Sequence, residues 1–152
     1  MADLKPILLV EDSPKDIELT LAALEQCQLA NAVVIARDGA EALDFLHARG
    51  RFEGRPSGDP AVVLLDLKLP KVDGLEVLEH IKGDPSLRQT PVVMLTSSRE
   101  EQDLVRSYSL GVNAFVVKPV GFEQFFEAIR DLGMFWAVLN EPPPRIFQKV
   151  VQ

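Results

Sequence analysis

The sequence predicts a doubly wound α/β domain: a five-stranded parallel sheet alternating with five helices that cover both faces. Short apolar runs without alternation recur at 6–10, 32–36, 61–65, 91–95 and 114–117, the pattern of strands buried on both sides. Stretches with apolar residues at helical spacing follow them. The length of 152 residues suits one domain with its own core.

The first run breaks into Glu11, Asp12, Ser13 and Pro14, where a capping hydroxyl precedes proline at the first helical position. The helix so started is expected to reach about Gln28, with Ile17, Leu21 and Leu24 on one face. After the second run, Asp38 and Glu41 form a variant capping box for a helix through His47. Residues 49–60 are rich in Gly, Pro and Arg and read as a long loop. The central run, 61–65, ends on Asp66, and Pro70 and Gly74 bracket a turn before a helix that begins near Leu75, carries Val77, Leu78 and Ile81, and stops at Gly83. The fourth run closes on Thr96, Ser97 and Ser98; a helix with Leu104, Val105 and Tyr108 follows, stopped by Gly111. The fifth run ends in Lys118 and Pro119, and the last helix starts near Phe122 with Phe125, Phe126, Ile129, Leu132 and Trp136. Beyond Leu139, Pro142, Pro143 and Pro144 lead to Ile146, Phe147, Val150 and Val151, too short a stretch for a core. The organisation read here is one domain over 1–138 and an extension over 139–152.

Sixteen basic against 23 acidic residues give a net charge of −7, which argues against nonspecific binding to nucleic acid or to an anionic membrane. No apolar run reaches transmembrane length and no charged-then-apolar leader opens the chain, so a soluble, cytoplasmic protein is expected. Cys27 is the single cysteine, which excludes an internal disulfide and a cysteine-rich metal site. It reads as a buried helix residue, and His47 and His80 read as ordinary surface or boundary residues.

Ligands of open α/β sheets bind at the carboxyl ends of the strands. The sequence places Glu11, Asp12, Asp66, Thr96 and Lys118 at that edge. Singly, each has a plain explanation: an acid can end a strand or favour a helix N-terminus, and Lys-Pro can be a solvated loop. Together, three carboxylates repel one another and raise their pKa values unless a cation sits among them. Oxygen-only ligands suggest Mg²⁺, which accepts one or two carboxylates, several waters and a phosphoryl oxygen. Neutralised in this way, Asp66 can act as a nucleophile in phosphoryl transfer. Lys118 adds a point cation and Thr96 a hydroxyl donor for the remaining oxygens.

The chain resembles the response-regulator receiver domains of two-component signalling over about residues 6–136. Their acidic pair matches Glu11 and Asp12, their phosphoacceptor Asp66, their hydroxyl residue Thr96, and their lysine Lys118 with Pro119; their rotating aromatic matches Phe115, which lacks a tyrosine hydroxyl. The resemblance implies the flavodoxin-like strand order 2-1-3-4-5. It implies Mg²⁺ held by Asp12, Asp66 and the backbone carbonyl of Lys68, with Glu11 acting through water. The partner implied is a sensor histidine kinase, and the role that of a phosphoacceptor, which at most catalyses its own phosphorylation and dephosphorylation. Thr96 and Phe115 are the implied switch, passing the signal to the face of the fourth helix, fifth strand and fifth helix. The long loop before the central strand and the end Met134, Phe135, Trp136 are similar to single-domain regulators paired with phytochrome kinases.

Three other readings fit the residues less well. A phosphatase of the haloacid-dehalogenase kind needs a second acid two residues after the nucleophile, where this chain has Lys68. A flavin-binding protein needs a hydroxyl- and glycine-rich phosphate loop after the first strand, where Glu11 and Asp12 would repel the phosphate. A receiver-like dimerisation module that is never phosphorylated is the third alternative, disfavoured by the full acidic set. A homodimer is expected: the last helix carries more apolar groups than one stripe can bury, and the extension could reach a partner.

Overall fold

The computed structural model describes residues 5–29, 31–56, 58–97, 106 and 108–131. Five parallel strands, β1 (Ile7–Val10), β2 (Val33–Ala36), β3 (Val62–Asp66), β4 (Val92–Thr96) and β5 (Ala114–Val117), form one sheet in the order β2-β1-β3-β4-β5. The central strands β1, β3 and β4 are buried along their whole length. Their unbroken apolar runs follow from helices on both faces, which leave no solvent side for polar residues.

Four helices are described in full: α1 (Pro14–Gln26), α2 (Gly39–Leu46), α3 (Gly74–Gly83) and α4 (Phe122–Asp131). Arg106, Tyr108 and Ser109, between β4 and β5, are helical as well, and the turn after them closes with Gly111 N–H donating to the Tyr108 carbonyl at 3.1 Å. The expected Ser98, Leu104 and Val105 of that segment, Leu132 to Trp136, and the extension from 139 lie outside the described residues. No helix among the described residues is long and apolar enough to cross a membrane.

The helix starts follow their capping residues. Ser13 Oγ accepts from Asp16 N–H, Asp38 from Glu41 N–H at 2.8 Å and Asp73 from Glu76 N–H at 3.0 Å. Glu41 returns its bond to Arg37 N–H, one residue before the cap, so the box is a variant in fact. Two apolar layers result. Ile17, Ala23 and Leu24 of α1 meet Phe125, Ala128 and Ile129 of α4 under one face; Ala42 and Phe45 of α2 meet Val77, Leu78 and Ile81 of α3 under the other. α1 ends two residues earlier than the sequence suggests, and Cys27 is its buried C-cap. Burial in apolar surroundings pushes the thiol up to about 11, which removes it from thiolate chemistry.

The segment 49–60 is more ordered than a long loop would be. It holds a short 3₁₀ turn, Gly50–Phe52, and Arg55 stacks over Phe45 while donating to the carbonyls of Phe45, Leu46, Pro56 and Gly58. One guanidinium with five donors replaces the strand or helix ladder this backbone lacks.

Candidate functional site

The turns leaving β1, β3 and β5 converge at the carboxyl edge of the sheet. Glu11 directly follows β1, anchored by its N–H on the Ala36 carbonyl of β2 at 3.0 Å, and its side chain is fully buried. Asp66, the last residue of β3, is 7 % exposed. Asp12 faces solvent, and a carboxylate oxygen of each of the three lies within 4.8 Å of the others. Gly74 makes this edge possible: a Cβ there would stand 2.1 Å from the Asp66 carbonyl oxygen, and its N–H donates to the Leu67 carbonyl at 3.0 Å. α3 can therefore start directly against the end of β3.

Lys118 follows β5 at the cis Lys118–Pro119 peptide, and its N–H donates to the Thr96 carbonyl at 2.9 Å. Its Nζ lies 2.6 Å from Glu11 Oε2, 3.1 Å from Asp16 Oδ2 and 3.2 Å from Asp66 Oδ2. The other Glu11 oxygen accepts from Ser13 N–H at 3.1 Å. Asp66 accepts from the Lys68 backbone N–H.

Burial pushes the Glu11 carboxyl up to about 7; the hydrogen bond from Lys118 opposes this and the charge of Asp66 adds to it. Asp66 is raised by burial too, against the opposing pull of Lys118. Repulsion among the acids predicts raised values; the direction is right for both, but desolvation is the main cause, and a neighbouring acid's charge adds to it only at Glu11. Burial works to lower Lys118, yet its bond to Glu11 and the charge of Asp66 hold it above the usual lysine range. Three carboxylates, Glu11, Asp16 and Asp66, thus surround one ammonium, and the two buried ones, Glu11 and Asp66, call for a proton or a cation to offset their charge. The donor set is all oxygen and fits a hard divalent cation.

A cleft of about 490 Å³ opens beside these acids, lined by Asp12, Leu67, Lys68, Leu69, Pro70, Asp73, Leu75 and Arg106. Thr96 is buried at the end of β4, opposite Val117, with Leu95 preceding it paired to Asp66. Phe115 is half-buried on β5 and meets Tyr108 edge to face, centroids 4.6 Å apart. Two neighbours of the site escaped the sequence reading. Asp16 sits one turn into α1, where an acid reads as complementing the helix N-terminus, and its reach to Lys118 depends on β5 ending opposite α1. Arg106 lies in a segment with no motif and lines the cleft only through the fold.

Residues 7–130 match the family of the response regulator receiver domain. The chain belongs to this family. Over 132 residues it is 42% identical to response regulator Rcp1 of Synechocystis sp., covering 87% of this chain and 88% of that protein. The Mn(2+)-bound form of Rcp1 superposes with a TM-score of 0.74 at 40% identity, over 92% of this chain and 99% of that one. The bacteriophytochrome response regulator AtBRR is 75% identical with a TM-score of 0.82, over 92% of this chain and all, 100%, of that one. The phosphorylated cyanobacterial phytochrome response regulator RcpA gives a TM-score of 0.74 at 40% identity, covering 93% and 99%. The protein is a receiver-domain response regulator homologous to phytochrome response regulators, and its strand order is the one the resemblance implies.

Proposed function

We propose that this receiver accepts a phosphoryl group from a sensor histidine kinase on Asp66 in a Mg²⁺-dependent reaction. The observation that carries the reading is the Asp66 carboxylate at the end of β3, 3.2 Å from Lys118 Nζ and grouped with Glu11 and Asp12 beside an open cleft. An Asp66 carboxylate oxygen attacks phosphorus, the P–N bond of the kinase phosphohistidine breaks, and the imidazole leaves as neutral histidine, its ring already protonated at the other nitrogen or taking a proton from solvent. Glu11, Asp12, Asp66 and the Lys68 carbonyl would hold Mg²⁺, Glu11 through water. When bound, Mg²⁺ supplies neutralisation of the acids and of the incoming oxygens. Lys118 follows the negative charge from Glu11 toward a phosphoryl oxygen, and the Thr96 hydroxyl donates to another. Drawn toward the new acceptor, Thr96 leaves room for Phe115 to turn inward, away from Tyr108, and this alters the face built by β5, α4 and the helical residues before β5. The protein is then a phosphoacceptor and not an enzyme with a separate substrate.

The kinase we infer is of the phytochrome class, a reading supported by the 75% identity to AtBRR. A cytoplasmic setting goes with this partner. A homodimer across the same face is part of the proposal: Tyr108, 63% exposed, and Phe122, 37% exposed, are the large apolar side chains left on the described surface, and Phe122 stacks near Phe126 at 5.7 Å. The part of 139–152 in that dimer is tested by light scattering on the full chain and on a chain stopped after Asn140; a monomeric full chain at tens of micromolar, phosphorylated or not, contradicts the dimer. Phosphotransfer from a phosphorylated phytochrome-class kinase tests the main claim: label is expected on the wild type and absent from Asp66→Asn.

A further inference from the structure

The chain has two histidines, and they meet each other. Thirty-three residues separate His47 and His80 in sequence, a |i−j| of 33, yet their Nε2 atoms lie 2.7 Å apart and their rings stand edge to face with centroids 5.0 Å apart. His47 is the C-cap of α2, His80 lies near the end of α3, and Asp84 caps α3. One ligand atom from each of the three lies within 4.8 Å of the others. Asp84 is fixed in place: its Oδ1 accepts from Ser86 N–H at 2.8 Å and from Ser86 Oγ at 2.7 Å, bonds that leave Oδ2 outside them. Both imidazoles are exposed, and His80 and Asp84 border an open groove lined with Glu76 and Glu79.

We propose that His47, His80 and Asp84 form a binding site for a borderline transition-metal dication of the zinc class, independent of phosphoryl chemistry. α2 and α3 both start at the carboxyl edge of the sheet and end here. The ten residues of α3 place this cluster about 15 Å from the acidic site. The two sites differ in kind: all-oxygen donors favour a hard ion such as Mg²⁺, whereas two imidazoles with one carboxylate favour zinc and its neighbours. Tetrahedral Zn²⁺ with bonds of about 2.0–2.1 Å would hold two nitrogens about 3.3 Å apart. The exposed rings need to part by about 0.6 Å from their metal-free contact, a small side-chain adjustment. The fourth position is left to water. Ser86 supplies the outer hydrogen bonds that orient a ligating carboxylate, and buried Cys27 offers no competing thiolate. A metal bound here would tie the far ends of α2 and α3 together. Without Asp84, the plain explanation, an N–H···N hydrogen bond between two surface imidazoles, would suffice.

The test is a calorimetric titration of full-length, tag-free protein with ZnCl₂ in millimolar MgCl₂, paired with imidazole NMR, where two histidines give two sets of signals. One Zn²⁺ per chain is expected at this site, with both imidazoles shifting together. Each of His47→Gln, His80→Gln and Asp84→Asn should weaken that binding by about tenfold or more. Asp84→Asn keeps an acceptor for Ser86, so its effect reports the lost ligand charge. Zn²⁺ binding that is unchanged in the histidine variants, or imidazole signals that do not move in excess Zn²⁺, overturns the site. Binding indifferent to Asp84→Asn overturns the three-residue assignment.

Discussion

Lys118 and Glu11 form the shortest ion pair of the site, Nζ to Oε2 at 2.6 Å, and both side chains are buried, 10% and 0% exposed. Removing the ammonium leaves Glu11 and Asp66 as buried, uncompensated neighbours. Lys118→Ala should therefore cost about 3–5 kcal/mol in metal-free urea unfolding. Mg²⁺ should return part of that loss, because a cation again stands among the acids. A cost below about 1 kcal/mol would mean that the acids relax into water without their lysine.

Stability should depend on pH through Glu11. Its folded value of about 7 lies above the ordinary glutamate value of 4.5, so the folded state binds the extra proton between those limits. The penalty is absent below about 4.5, grows as pH rises toward 7 and is complete above it, on the order of 3 kcal/mol. Glu11→Gln has no such titration. In EDTA, the stability of the variant relative to wild type should climb from pH 5 to pH 8, and parallel pH profiles would contradict the buried charge.

Gly74→Ala tests the close approach of α3 to β3. The added Cβ would meet the Asp66 carbonyl oxygen at 2.1 Å and the Leu67 carbonyl oxygen at 2.7 Å, both backbone atoms that cannot rotate away. A loss of about 1–3 kcal/mol is expected, with slower phosphorylation because Asp66 moves with its backbone. Unfolding curves and phosphorylation rates that match wild type would show that the turn has slack.

Much of this arrangement was legible in the sequence. The five apolar runs, the caps Ser13 and Asp38, and the carboxyl-edge positions of Glu11, Asp66 and Lys118 all follow from local rules, because a strand buried on both faces and a capped helix leave their marks on consecutive residues. The hydroxyl-free Phe115 could be placed on its strand, but its contact with Tyr108 depends on how the preceding helical segment lies against β5. The Lys118 bond to Asp16 spans 102 residues, a |i−j| of 102, and no spacing rule reaches that far. The same holds for His47 and His80, which read as unrelated surface residues until α2 and α3 are laid side by side. The order within 49–60 was hidden for another reason: Arg55 looks like loop polarity in sequence, and only its stack on Phe45 shows that it organises the backbone.

Asp12 separates metal binding from folding. It is exposed, so Asp12→Ala should leave unfolding in EDTA unchanged or slightly stabilised by reduced repulsion. Its Mg²⁺ affinity should fall by about tenfold or more, as loss of even an outer-shell ligand partner does elsewhere. Calorimetric Mg²⁺ titration checks this, and equal affinity in variant and wild type would remove Asp12 from the cation site.

The central claim is that Asp66 is the phosphoacceptor, and intact-protein mass spectrometry after incubation with acetyl phosphate tests it most directly. The account predicts a single added phosphoryl group on the wild type in Mg²⁺, none in EDTA, and none on Asp66→Asn in either buffer. Equal phosphorylation of wild type and Asp66→Asn would contradict it.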